Sequence, residues 1–322
     1  MVDNKLVKSI IFSMVIGFIV YLVLLFFGDF KLLKKSIEEI NLVYIAYALV
    51  LALGNYLVRF FRWHYYLRKL QLEIPWKQSL SIFMSGLIMS ITPGKLGELL
   101  KSLLLKRYNG TPVATSAPVI IFERVTDVIG LLVLMAAGLL QFQFGMGVYV
   151  TCVFLIMIFL AVLRSPSLIN GLRYHLRHMS SKVDKFLVSL MELHESAGVL
   201  LRPNSLLIAS IFGVAAWFCE CYGFYLILKG LGVPVHIYFA TFLYAFATLA
   251  GALSFLPGGL GVTEASLTGW LVYSGVPGFQ ASAATIAIRF CTLWFAVFVG
   301  LVVILFTGKW EMIKTDVNET ET

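Results

Sequence analysis

Apolar positions run in long blocks along this chain, near 9–27, 42–66, 117–142, 146–163, 205–228 and 280–306. Each block has about the 20 residues an α-helix needs to cross the hydrocarbon core of a bilayer, and each predicts a transmembrane helix. The first, Ile10 to Phe27, is too long for the apolar core of a signal peptide and lacks a small-residue cleavage site. Two further pairs of runs are shorter. One is 78–92 followed by 96–106, interrupted at TPGKLGE; the other is 238–256 followed by 262–274, interrupted at LPGGLGVTE. Proline and glycine free backbone groups that lipid cannot satisfy, so such breaks persist at membrane depth only under a cover of protein or beside a wet cavity. Both pairs are predicted to be re-entrant hairpins or broken helices.

Composition supports the same class. Of 322 residues, 60% are hydrophobic and 13% are charged, more apolar surface than a soluble domain can hide. The formal net charge is +8. The basic residues flank apolar blocks, so the positive-inside rule explains them better than nucleic acid does. Lys5, Lys8, Arg62, Arg68, Lys69, Lys77, Lys106 and Arg107, most basic residues of 164–204, and Lys309 and Lys314 fall on one side; Lys31, Lys34, Lys35 and Lys229 fall on the other. The asymmetry predicts both termini in the cytoplasm of a cell-membrane protein. The four cysteines lie in apolar stretches and imply neither disulfides nor a metal site.

The longest soluble piece, 164–204, repeats Leu172, Leu176, Met179, Val183, Phe186, Leu187 and Leu190 at helical spacing between basic residues. It predicts an amphipathic helix on the inner leaflet, with His175, His178 and His194 solvated rather than metal-bound. The tail 314–322 is polar and predicted to be disordered.

The two interrupted runs are related. Pro93, Gly94, Leu96 and Gly97 fall on Pro257, Gly258, Leu260 and Gly261; one extra residue at Gly275 then places Pro112 on Pro277 and Arg124 on Arg289. Upstream, Pro75 falls on Pro234. Three crossings separate the breaks, and an odd number inverts the second copy. The predicted fold is an all-α polytopic membrane protein, one integral membrane domain over 1–322. It has two inverted repeats, about 9–144 with hairpin 78–106 and about 145–308 with hairpin 238–274, each with three transmembrane helices and one re-entrant or broken-helix hairpin. Paired broken helices in inverted repeats are an architecture of secondary transporters, with the site near the midplane.

Candidate chemistry gathers at the breaks. Each starts a half-helix whose first N–H groups carry about half a positive charge and suit an anion. The candidate site takes Gly94, Lys95, Gly97, Glu98, Lys101, Arg124 and Asp127 from the first half, and Gly258, Gly259, Gly261, Glu264 and Arg289 from the second. Arg124 and Arg289 lie inside apolar helices, where a charge costs about 2.5–3.5 kcal/mol even on insertion scales. Arg124 has Glu123 beside it and Asp127 one turn on. Arg289 must look elsewhere, to Glu264, Glu220, Asp127 or a ligand. Two readings stand for the arginines: ligand contacts, or an internal salt-bridge pair locking the repeats. Glu98 and Glu264 are either dipole-capping acids or titratable groups coupling transport to protons. Lys95 and Lys101 are either phosphate contacts or positive-inside residues. Arg59, Arg62 and His64 predict an interfacial anchor.

TPGKLGE, the ERVTD helix and LPGGLGVTE together resemble the flippase-like family named for the transmembrane region of lysylphosphatidylglycerol synthase, over roughly 10–308. Bifunctional members carry a soluble aminoacyl-transferase domain after the membrane part. With this sequence ending at Thr322, the expectation is the other half of that activity, moving a charged or glycosylated lipid between leaflets. The expected partner is a membrane lipid, a phospholipid or polyprenyl-phosphate lipid, with a homo-oligomer or pathway enzymes as further partners. Nucleic acid, a metal and a cofactor are not expected. An enzyme is not expected either: magnesium-binding aspartate clusters and a serine–histidine pair are missing, and His64 and His236 are solitary. The alternatives are a transporter of a small soluble anion and an accessory subunit of an envelope-lipid pathway.

Overall fold

The structure is a computed structural model. It describes residues 31–32, 35–36, 40–92, 97–139, 146–165 and 181–307. The predicted helix at 9–27, Gly94 and Lys95, the stretch holding His175 and His178, and the tail 314–322 lie outside the described residues.

Within them the chain is helical. Helix α1 spans Leu42–Lys69 and α2 spans Trp76–Gly86, followed by a 3-10 turn, Leu87–Ile91. Then come α3 (Leu100–Asn109), α4 (Val113–Leu139), α5 (Met146–Arg164) and α6 (Ser181–Leu200). Helix α7 (Pro203–Gly230) and α8 (Ile237–Leu253) precede a second 3-10 turn, Pro257–Gly259. The chain closes with α9 (Val262–Tyr273), α10 (Gly278–Arg289), a π-helical segment (Phe290–Trp294) and α11 (Phe295–Phe306). The five predicted helices from 42 onward and both interrupted pairs are present within a few residues of their predicted bounds.

Polarity is arranged for lipid. On α1 the exposed large apolar side chains are Leu42, Val43, Tyr47, Val50, Leu53, Leu57 and Phe61, while Asn55, Arg59 and Arg62 are buried and the only exposed charges, Arg68 and Lys69, lie in the last turn. A soluble protein puts charge outside; here charge faces protein because hydrocarbon cannot solvate it. By length and composition, Leu42–Lys69, Pro203–Gly230 and Gly278–Phe306 can each cross a membrane. Helix α4 is nearly as long but carries Glu123, Arg124 and Asp127. The chain is therefore a polytopic membrane protein.

Helices α1 and α7 run antiparallel. Tyr44 near the start of α1 lies against Gly230 at the end of α7, Asn55 Nδ2 donates to the Ala216 carbonyl at 2.8 Å midway, and Arg62 lies against Gly213. Small residues permit the approach. A Cβ on Gly130 of α4 would sit 2.8 Å from the Gly213 carbonyl carbon, and one on Gly213 would strike the Thr126 carbonyl. This crossing of α4 and α7 brings Arg62, Thr126 and Asp127 into one layer. The end of α6 docks on protein, with Ala197 and Leu200 buried and His194 Nδ1 2.7 Å from the Leu163 carbonyl.

Gly213→Ala should therefore overpack the crossing and lower stability by about 1–3 kcal/mol. Gly198, whose added Cβ meets nothing, is the control. Thermal unfolding of the purified protein in detergent reads both: a fall in Tm for Gly213→Ala and none for Gly198→Ala is expected.

Candidate functional site

The first break is held from both sides. Thr92 Oγ1 donates to the Met89 carbonyl at 2.7 Å and accepts from the Gly97 N–H at 3.1 Å. A Cβ on Gly97 would lie 2.6 Å from that hydroxyl oxygen, so only glycine fits. The turn over 97–99 delivers Glu98 and then Lys101 toward α1 and α4.

Four cations and three acids meet there. Arg124 Nη2 donates to Glu98 Oε2 at 3.0 Å, and Arg124 Nη1 lies 3.1 Å from Asp127 Oδ2. Arg62 Nη2 donates to Asp127 Oδ1 at 2.7 Å and Arg62 Nη1 to Thr126 Oγ1 at 3.2 Å. Lys101 Nζ donates to Glu123 Oε2 at 2.5 Å and stands 4.6 Å over the Trp63 ring. Glu98 is also 3.4 Å from Lys101 and 3.6 Å from Arg59. Trp217 Nε1 donates to Asp127 Oδ1 at 3.0 Å.

The second break uses fewer groups. Gly258, Gly259 and Gly261 all have positive φ, the backbone region that a side chain disfavours. Glu264 Oε2 accepts from the Gly261 N–H at 2.7 Å, and Oε1 accepts from Arg289 Nε at 2.6 Å. Arg289 Nη2 donates to the Gly258 carbonyl at 2.7 Å. Glu264 thus both caps its half-helix and answers the arginine. Nearby, Tyr244 OH donates to Glu220 Oε2 at 2.8 Å. Tyr56 OH donates to the Thr292 carbonyl at 2.7 Å, inside the π-helical segment. A side chain bonded into the helix ladder accounts for that local widening.

Residues flanking the two breaks touch. Gly258 lies against Ile91, and Ile91, Leu260 and Leu293 form one buried cluster. Gly97, Glu98, Lys101, Arg124 and Asp127 come together as the first group; Gly258, Gly259, Gly261, Glu264 and Arg289 as the second. Of the twelve candidates only Gly94 and Lys95 lie outside the described residues.

Several expectations change. Arg59 and Arg62 are not an interfacial anchor: Arg62 is 0% exposed, drawn inward by Asp127. Lys101 is 2% exposed and tied to Glu123, so it is not a positive-inside surface residue, and Glu123 serves Lys101 rather than Arg124. One N–H at each break is already occupied, that of Gly261 by Glu264 and that of Gly97 by Thr92. Sequence reasoning missed Arg62–Asp127 and Lys101–Glu123, since partners 65 and 22 positions apart leave no local spacing signal.

A family profile described as lysylphosphatidylglycerol synthase TM region matches residues 14–300. A UPF0104 membrane protein of Methanothermobacter thermautotrophicus is 26% identical over 288 residues, 83% of this chain and 84% of the relative. A second from that organism is 22% identical, over 86% of this chain and 89% of its own. A UPF0104 membrane protein of Methanocaldococcus jannaschii is 24% identical over 72% of this chain and 98% of its own. No solved structure matches.

Removing one partner of a buried ion pair strands the other, at a cost of about 3–5 kcal/mol. Arg289→Met alone is expected to lower Tm sharply. Combining it with Glu264→Leu should recover most of the loss. A thermal double-mutant cycle checks this; additive losses would contradict the pairing.

Proposed function

The chain belongs to the family of the lysylphosphatidylglycerol synthase transmembrane region, and from that premise we propose that it moves an anionic or glycosylated lipid between the leaflets of the cell membrane. In this reading it is a translocase rather than an enzyme, with both termini in the cytoplasm. The lipid's phosphate-bearing head group exchanges places with the carboxylates at the two breaks, its tails stay in the bilayer, and the two halves alternate.

One observation carries the reading: in each half, the mid-helix arginine meets the glutamate of its own half-helix, Arg124 with Glu98 and Arg289 with Glu264. Inverted repeats account for this. Helices α1 and α7 both have 28 residues, and a shift of 161 (203 − 42) aligns both ends. The same shift pairs Tyr56 with Trp217, and the arginines differ by 165 (289 − 124). Applying 165 to Asp127 gives Thr292. Tyr56–Thr292 and Trp217–Asp127 then join matching positions, the first through the Thr292 backbone carbonyl and the second through the Asp127 carboxylate. The helix ends also correct the repeat's register. Pairing Pro75 with Pro234 needs a shift of 159 (234 − 75), two short of the shift that aligns the helices. Antiparallel packing of α1 on α7 centres on Asn55 and Ala216, themselves equivalent at 161, as an in-plane two-fold axis requires.

A lipid suits the surroundings better than a soluble anion. An open groove of about 500 Å³, lined by Val262, Ala265, Ser266, Gly269, Trp270 and Tyr273, runs along α9 from the second break to the helix end. It gives an acyl chain a lateral track along α9, on a face that the buried Glu264 does not line. A second reading, an accessory subunit without transport, is favoured by the internal pairing of both arginines.

Reconstituted in proteoliposomes with fluorescent anionic, glycosylated and zwitterionic lipids, the wild type should flip an anionic or glycosylated lipid. Arg124→Ala and Arg289→Ala should each slow flipping by about tenfold or more. Unchanged rates with both replaced contradict the translocase; no flipping of any lipid by the wild type supports the accessory reading.

A further inference from the structure

Glu98 is surrounded by more positive charge than one carboxylate needs. Arg124 Nη2 at 3.0 Å and Lys101 Nζ at 3.4 Å face its Oε2, and Arg59 Nη2 at 3.6 Å faces its Oε1. These cations come from α4, α3 and α1, so three elements converge on one side chain. Its counterpart Glu264 is coordinated differently, by Arg289 and a backbone N–H.

Donors remain over. Among the described residues, Arg59 Nε and Arg124 Nε are buried without a hydrogen-bond acceptor, although the Arg59 side chain is only 8% exposed. A carboxylate has two oxygens and cannot satisfy them all. A phosphate-type group brings more acceptor oxygens and pairs with guanidinium forks. Space is the second constraint. The gap between Arg59, Phe83, Gly86, Leu87, Glu98 and Lys101 is too narrow for a water molecule. An anion cannot settle beside Glu98; it must replace it.

We propose that Glu98 is a built-in placeholder for a phosphate-type anion, which binds Arg59, Lys101 and Arg124 only by displacing the Glu98 carboxylate. Arg124, with 26% of its side chain exposed, is where the guest first makes contact. Because Glu98 sits in the turn that begins the half-helix, its displacement breaks the Glu98–Arg124 link to α4 and leaves Lys101–Glu123 as the remaining ion pair between them. The proposal rests on the translocase reading for the chemistry of its guest, a lipid phosphodiester or free phosphate.

The test uses the full chain, wild type and Glu98→Gln, in lipid nanodiscs of zwitterionic composition. Isothermal titration calorimetry measures affinity for inorganic phosphate, dihexanoyl phosphatidylglycerol and, as control, dihexanoyl phosphatidylcholine. Glu98→Gln should bind at least one anion about tenfold tighter or more, because the internal competitor is gone. Adding Arg124→Ala should remove the gain. A gain for phosphatidylglycerol alone assigns the guest to a lipid head group, and a gain for both anions assigns it to the phosphate itself. Equal or weaker binding by Glu98→Gln, a gain equally large for phosphatidylcholine, or no binding by either protein overturns the proposal. If Glu98→Gln fails to fold, Glu98→Asp takes its place: the retracted carboxylate should raise affinity about threefold, and an unchanged affinity overturns the idea. Flipping measured on the same preparations separates the two claims. Tighter binding in a chain that flips nothing keeps the placeholder and removes the translocase. Flipping by the wild type without tighter binding by the variant does the reverse.

Discussion

A charge inside a bilayer has no water to turn to, and this fold is organised around that constraint. Arg59, Arg62, Lys101, Arg124 and Arg289 find their counter-charges in protein, from helices far apart in sequence. Each pair fixes a crossing. Asp127 binds Arg62 and Trp217 together and so holds α4 against α1 and α7. Glu264 ties Arg289 to the start of α9. The glycines at 130 and 213 let the helices come close enough for these bonds to form. Without the small residues the charges would be stranded, and without the charges the broken hairpins would keep only the Ile91, Leu260 and Leu293 cluster and local hydrogen bonds to close on.

The charge balance is uneven across the halves. The first group holds four cations against Glu98, Glu123 and Asp127; the second sets Arg289 against Glu264 and Glu220. Among the described residues of the two groups the totals match at five each, so their charges balance only when taken together. In the proposed alternation, separating them would expose an excess of each sign, positive at the first group and negative at the second.

Much of the fold was legible because hydrophobic runs and punctuation are local signals. The helix from Leu42 follows Asn41, whose side chain accepts from Val43 N–H at 2.9 Å, and the breaks coincide with Pro257 and its glycines. Arg124–Asp127 was legible from one helical turn, and Glu264 was among the partners that spacing left open for Arg289. The rest was not, because it depends on packing. Nothing near Arg62 points to Asp127. The basic end of α1 reads as an interfacial anchor until α4 is placed beside it. The π-helical segment at Phe290–Trp294 has no sequence mark; it follows from Tyr56 reaching Thr292.

If the two halves alternate as proposed, the two breaks must move relative to each other at their shared contact. A disulfide between Ile91→Cys and Leu260→Cys, in a background with Cys152, Cys219, Cys221 and Cys291 replaced by alanine, joins them directly within their shared buried cluster. Lipid flipping in proteoliposomes should stop when the cross-link forms and return when it is reduced. Flipping that continues at the full rate with the cross-link complete would contradict the account.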